Sequence, residues 1–282
     1  MALAPLSPHP VDPSWSDTPD PHRQAAALSA GELLLRIRAA ACCPTGGAAQ
    51  RTGDSAAGRS GVAGVVEAVA DDVGGLAPGD EVFGVTAPRL LRAGTERTVL
   101  AAAQLAPKPR QLDFAQAAAL PTAAVTAWQM LFEHGRLERG ESVVILGAER
   151  LVGRLAVQMA CAHGVDTVAV APSRHGPALR ALGAALAIDA SPRVLEERCR
   201  QAAVVVDVSG GIVQRRALLA LGSGSLLVSC VARPESAVLA KSDASFALIV
   251  ARVTACRLAQ VAALVDRGLL AMPAAQAQVD AR

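Results

Sequence analysis

The stretch VVILGAERLVG, residues 143–153, sets a β-branched run before a glycine and a helical pattern. That is the order in which a strand delivers a tight loop to a helix N-terminus. Chemistry at such a junction comes from the backbone. Unpaired N–H groups and the positive end of the helix dipole attract a phosphate, and glycines let the ligand approach closely. Gly147 and Gly153 frame the loop, but Arg150 stands between them, where backbone normally meets phosphate. An arginine here can fill the anion site, or it can pair with a phosphate and return about 1.5–3 kcal/mol. Leu151 is also bulky and Glu149 adds negative charge, so the residues favour a loop that grips its anion weakly. The plainer alternative is an α/β junction that binds nothing.

A second strand ends AVAPSRHG, residues 169–176. An acidic residue at this place takes the ribose hydroxyls of NAD, whereas a nearby arginine accommodates the 2′-phosphate of NADP. Ser173, Arg174 and His175 stand here and no acid does, so NADP is favoured; a solvated turn before a helix is the alternative. The SGG of Ser209–Gly211 and the GSGS of Gly222–Ser225 also fall at strand ends, where turns are expected and where ligands sit in such sheets.

Other chemistries find little support. Cys42, Cys43, Cys161, Cys199, Cys230 and Cys256 include no CxxC pair, and adjacent Cys42 and Cys43 cannot easily face one metal. His134, His163 and His175 lie near helix ends, where capping is the simpler role. No HExxH or GxSxG motif occurs, and the absence of tyrosine removes a phenol as proton donor. No metal site is expected.

Composition narrows the class. The 282 residues are 52% hydrophobic and 18% charged, which describes a globular chain with ample core. A net charge of +2 without a basic, aromatic-interleaved stripe gives no footprint for nucleic acid. The longest uncharged stretch, Phe114–Phe132, carries Gln116, Pro121 and Gln129 and reads as buried helix, so no membrane partner is expected. With no signal peptide visible and no cysteine pattern, a reduced cytoplasmic setting follows, and a homodimer is left open.

Four segments organise these residues. Residues 1–30 form a proline-rich arm. Residues 31–110 carry glycine-punctuated strands, ELLLRIRAAA, GVAGVVEAVA, GDEVFGVT and TERTVLAAA, which suggest a barrel-like β domain. Residues 111–271 open with a helical pattern, broken at Pro121 and stopped at Gly135. Strands 142–146, 167–171, 185–188, 204–208 and 225–230 then alternate with helices 152–163, 177–182, 192–201 and 212–221. This rhythm predicts an α/β fold with a doubly wound parallel sheet. A helix over 255–267 and a tail, residues 272–282, complete the chain.

GVAGVVEAVADDVGGLAPGDEVFG resembles the medium-chain dehydrogenase/reductase superfamily, and LAPKPRQLDFAQAAALPTAAVTAWQML is similar to its zinc-free, quinone-oxidoreductase-like branch. The likeness runs from Glu32 to Leu269. It implies a GroES-like β domain followed by a Rossmann doubly wound sheet that binds NADPH, with hydride passed to a small quinone, enone or aldehyde. The family's cofactor loop falls on Gly147, Arg150 and Gly153, with Leu151 and Val152 between. The 2′-phosphate region falls on Ser173 and Arg174, the nicotinamide end on Thr126, and backbone positions along the cofactor on Gly210 and Val231.

Where the family often has AxxVNPxD, this chain has AAACCPTGG, with Cys43 for the asparagine and Gly46 for the aspartate. The resemblance therefore assigns no catalytic residue, and Cys43 and Thr126 are cleft candidates. The zinc-binding branch has a cysteine at Cys43, but its Gly-His-Glu partner motif is RSGV here, so no zinc is implied. The family's first strand is replaced by the proline-rich arm, and its last return strand is not seen before Arg282. Two further readings stay open: a catalytically impaired member that binds a ligand or partner, and a cofactor-independent enzyme with Cys43 as nucleophile.

Overall fold

The computed structural model describes residues 28–42, 60–86 and 96–272. The proline-rich arm up to residue 27, Cys43 with the loop after it, and the tail beyond residue 272 lie outside the described residues.

Strands β1 (Glu32–Cys42), β2 (Ser60–Val69), β3 (Glu81–Thr86), β4 (Arg97–Ala101) and β5 (Leu105–Pro107) form an antiparallel sheet in the order β4-β1-β2-β3-β5. Alternation puts Leu33, Leu35, Val62, Val66, Val82, Leu100 and Leu105 into one apolar cluster. The register slips between Leu34 and Leu35 and between Ile37 and Ala39, as at β-bulges. Glu67 on β2 accepts from Arg97 on β4 at 2.7 and 3.2 Å across the intervening strand. Among the described residues the edge strands β4 and β5 do not pair with each other.

Helix α1 (Phe114–Trp128) begins at a capping box, with the Asp113 side chain accepting from Gln116 N–H and the Gln116 side chain accepting from Asp113 N–H. The break expected at Pro121 does not occur: the helix runs through the proline. A mid-helix proline costs about 3 kcal/mol. Every residue from Leu120 to Ala127 is buried here, and that burial outweighs the lost hydrogen bond. The chain then widens into a π-type turn over Gln129–His134, closed by Gly135 N–H on the Met130 carbonyl at 3.0 Å.

The parallel sheet has the order β11-β10-β9-β6-β7-β8, with β6 (Ser142–Leu146), β7 (Asp166–Val170), β8 (Leu186–Ile188), β9 (Val204–Asp207), β10 (Leu226–Ser229) and β11 (Ser245–Leu248). Helices α2 (Leu151–Ala162), α3 (Gly176–Ala181), α4 (Pro192–Arg200), α5 (Gly211–Ala220) and short α6 (Ser236–Leu239) connect them, and α7 (Ala255–Asp266) follows. The order reverses at β6, which lies between β7 and β9, and that reversal opens a ligand crevice beyond the strand C-termini. Strands β5 and β11 and helix α6 were not foreseen. They are three or four residues long, too short to carry a readable period.

The pieces join through α1. Ala63, Phe83 and Val85 of the antiparallel sheet share one buried cluster with Ala123, Ala127 and Leu131, with Val143 and Ile145 of β6, and with Leu258 and Val261 of α7. Arg257 on α7 grips Glu133 through two bonds of 2.6 and 2.8 Å, fixing the π-type turn.

Candidate functional site

The loop after β6 is held by backbone. Gly147 and Ala148 both donate to the Val170 carbonyl at the end of β7, at 3.0 and 3.1 Å, and Arg150 N–H closes the turn on the Gly147 carbonyl at 3.1 Å. Gly147 has φ +74°, a conformation that a side chain would strain. Gly153, on the first turn of α2, brings the helix against that loop. A Cβ there would stand 2.5 Å from the Gly147 oxygen.

Arg150 is the N-cap of α2, at φ −75° and ψ 159°. That is ordinary extended backbone, so glycine is not needed there for conformation. Its exposed side chain makes no hydrogen bond or ion pair among the described residues. The first amide of α2 with a helical partner is Arg154, on the Arg150 carbonyl at 2.8 Å. The N–H groups of Leu151, Val152 and Gly153 therefore find no acceptor among the described residues. One feature opposes an anion: Glu149 Oε2 is buried in this loop and finds no hydrogen-bond partner among the described residues.

At the end of β7, Ser173, Arg174 and His175 form a short helical turn. Arg174 is exposed and unpaired among the described residues. Ser173 Oγ donates to Asp189 Oδ2 at 3.4 Å, and Ser191 N–H donates to Asp189 Oδ1 at 3.0 Å. Hydrogen bonds from Ser191, and then from Ser173, hold the Asp189 carboxyl below its ordinary range. Ser173 and Asp189 border a cavity of about 160 Å³ between β7, α3 and β8.

The ends of β9 and β10 carry the densest polar network. Asp207 is fully buried and accepts five hydrogen bonds: from Ser209 N–H, Ser209 Oγ and Gly210 N–H on one oxygen, and from Gln214 Nε2 and Ser229 Oγ on the other, at 2.7–3.0 Å. Ser229 Oγ also accepts from Val231 N–H at 3.1 Å. The network thus fixes the two backbone positions, Gly210 and Val231, that sequence had placed along a cofactor.

Gly147, Arg150, Leu151, Val152, Gly153, Ser173, Arg174, Gly210 and Val231 therefore follow the C-terminal ends of four neighbouring strands. Thr126 lies apart from them within α1, which packs on α2; its buried hydroxyl donates to the Thr122 carbonyl at 2.7 Å. Cys43 is outside the described residues. Sequence reasoning missed Asp207, Gln214, Ser229 and Asp189. An acid closing the apolar run VVVD was the available signal. Three unclaimed amides over a glycine-closed loop suit the phosphate part of a dinucleotide, with the Glu149 charge and the Arg150 bulk set against it.

Sheet order and loop together define a class, a GroES-like antiparallel sheet joined to a Rossmann sheet. No family model matches the chain. It is 38% identical over 190 residues to spectinabilin polyketide synthase system protein NorB of Streptomyces orinoci, covering 67% of this chain and 8% of that one. It is 38% identical over 157 residues to 2-methylene-furan-3-one reductase of Solanum lycopersicum, covering 53% and 40%. It is 38% identical over 121 residues to quinone oxidoreductase of Rattus norvegicus, covering 43% and 36%. Among solved structures, an alcohol dehydrogenase superfamily protein from Novosphingobium aromaticivorans superposes with a TM-score of 0.71 at 28% identity, covering 85% of this chain and 80% of that one. The chain belongs to the medium-chain dehydrogenase/reductase superfamily, as a quinone-oxidoreductase-like member. It spans less than half the length of the three curated relatives named here.

Proposed function

We propose that this chain is an NADPH-dependent reductase of a small carbonyl compound, a quinone, enone or aldehyde. The observation that carries the reading is the set of unclaimed N–H groups of Leu151, Val152 and Gly153, presented by a glycine-closed loop at the point where strand order reverses. In this reading Gly147–Gly153 hold the pyrophosphate, and Gly210 and Val231 line the cofactor on the scaffold of Asp207. The 2′ position of the ribose falls near Ser173 and Arg174, after the end of β7, and Thr126 lies toward the nicotinamide end. When bound, the reduced nicotinamide supplies the hydride. The names of the relatives, a furanone reductase and a quinone oxidoreductase, support a conjugated carbonyl substrate.

Residues 31–110 and 111–271 serve as the two domains of this reading. Zinc independence is supported by residue type: RSGV, residues 59–62, stands where a zinc-binding relative would offer its Gly-His-Glu motif. Among the described residues no helix is long and apolar enough to cross a membrane, and the scattered cysteines support a cytoplasmic setting.

The buried, unpartnered Glu149 oxygen favours a second reading, in which cofactor binding is impaired and the fold holds another ligand or a partner. Titrating NADPH and NADH against tryptophan fluorescence, then following cofactor oxidation with a quinone and an enone, separates the two. Saturable binding with turnover supports the reductase. The absence of binding up to millimolar cofactor overturns it.

A further inference from the structure

Two arginines, Arg174 and Arg180, stand differently around the cavity at the ends of β7 and β8. Both are exposed, but Arg174, the residue that sequence favours, does not line it. Arg180, on α3, does, together with Ser173 and Asp189. Two guanidinium nitrogens of Arg180 lie 3.6 and 3.8 Å from where a Cβ on Gly176 would stand, so the arginine folds back over that glycine.

Arg180 and Asp189 share the cavity without forming an ion pair, and the Arg180 side chain makes no hydrogen bond among the described residues. The Arg180 charge is therefore free to meet a ligand, whereas Asp189 already accepts from Ser191 and Ser173, and a ligand hydroxyl would join or replace the long 3.4 Å bond from Ser173. The volume of about 160 Å³ far exceeds the ~10–15 Å³ that one water needs.

Resting on the nicotinamide reading above, we propose that Arg180 and Asp189, rather than Arg174, set the preference between a phosphorylated and a free 2′-hydroxyl. A 2′-phosphate bonds to the Arg180 fork and the Ser173 hydroxyl and is repelled by Asp189. A free 2′-hydroxyl donates to Asp189. The opposed charges make this site less selective for NADPH than an arginine alone would.

Calorimetric titration of the full chain with 2′,5′-ADP and 5′-AMP tests this, because neither probe needs turnover. Arg180→Ala is expected to weaken 2′,5′-ADP by about tenfold or more, as for one lost hydrogen bond to a charged group, and to leave 5′-AMP unchanged. Arg180→Lys should recover part of the loss. Asp189→Asn should tighten 2′,5′-ADP by about threefold, the scale of an exposed charge contact, and weaken 5′-AMP. Arg174→Ala should change neither by more than the scatter of the titration. If the loss for 2′,5′-ADP follows Arg174→Ala, or Arg180→Ala weakens both probes equally, the proposal is overturned while the cofactor reading stands. If wild type binds neither probe nor NADH, the cofactor reading fails and takes this proposal with it.

Discussion

Gly153 lies so close to Gly147 that a Cβ on the former would stand 2.5 Å from the carbonyl oxygen of the latter and 2.7 Å from Ala148 Cα. Both are backbone atoms of one loop, so neither can rotate away. Gly153→Ala should cost about 1–3 kcal/mol in urea unfolding, as overpacking does, and should lower NADPH affinity by displacing the loop. Gly222→Ala, where nothing lies within 4 Å of the added methyl, is the control. Equal stability of the two variants would refute the close-packing argument.

Glu149 and Arg150 both act against an anion in this loop, the first by charge and the second by bulk. Glu149→Gln should tighten NADPH by removing a buried negative charge from the loop, and the gain should shrink as salt rises. Arg150→Gly should also tighten it, by uncovering the amides of α2, with a gain that persists at high salt. Wild-type binding should then be no tighter than tens of micromolar, about −6 kcal/mol. Submicromolar wild-type binding that Arg150→Gly weakens, most of all at low salt, would mean that the guanidinium pairs with phosphate instead.

Asp207→Ala strands Gln214, Ser229, Ser209 and the Gly210 amide in a buried site. Unpartnered buried donors cost about 1–3 kcal/mol each, so unfolding in urea should show a loss of about 3 kcal/mol or more. Asp207→Asn keeps the shape but turns an NH₂ toward other donors, and should lose nearly as much. A loss below 1 kcal/mol, on the scale of a single ordinary hydrogen bond, would show that the network is dispensable.

Glu133 sets an acid limit. Burial pushes its carboxyl upward, but the hydrogen bonds from Arg257 and Gln129 and the Arg257 charge outweigh that and hold it below the ordinary glutamate range. A carboxyl lowered in the folded state stabilises above its unfolded pKa, and that contribution is lost as pH falls through the folded value. The stability gap between wild type and Glu133→Gln should therefore be full near neutral pH and close on acidification below about pH 4. A gap that stays constant from pH 7 to pH 3 would assign it to packing alone.

The parallel sheet was legible because strands and helices of ordinary length leave their periods in sequence. The helix expected over 152–163 is found at Leu151–Ala162, and that expected over 192–201 at Pro192–Arg200. Pro121 misled because local cost is visible in sequence and tertiary burial is not. The loop glycines were legible as a pattern, whereas the unclaimed amides needed coordinates. The pairing of Ser173 with Asp189 spans 16 residues and depends on β7 lying beside β8, an adjacency that neither strand states alone.

The apolar cluster that runs from Phe83 through α1 to Ile145 has a thermodynamic consequence. Each sheet leaves part of its core to be closed by the other: cutting the chain near residue 110 would leave Ala63, Phe83 and Val85 bare on one fragment and the contact face of α1 bare on the other. The two sheets should melt as one cooperative unit, with a single endotherm whose calorimetric and van't Hoff enthalpies agree. Recombination between relatives should accordingly be tolerated in the surface loops and penalised at this joint, so that the two halves are inherited as a pair.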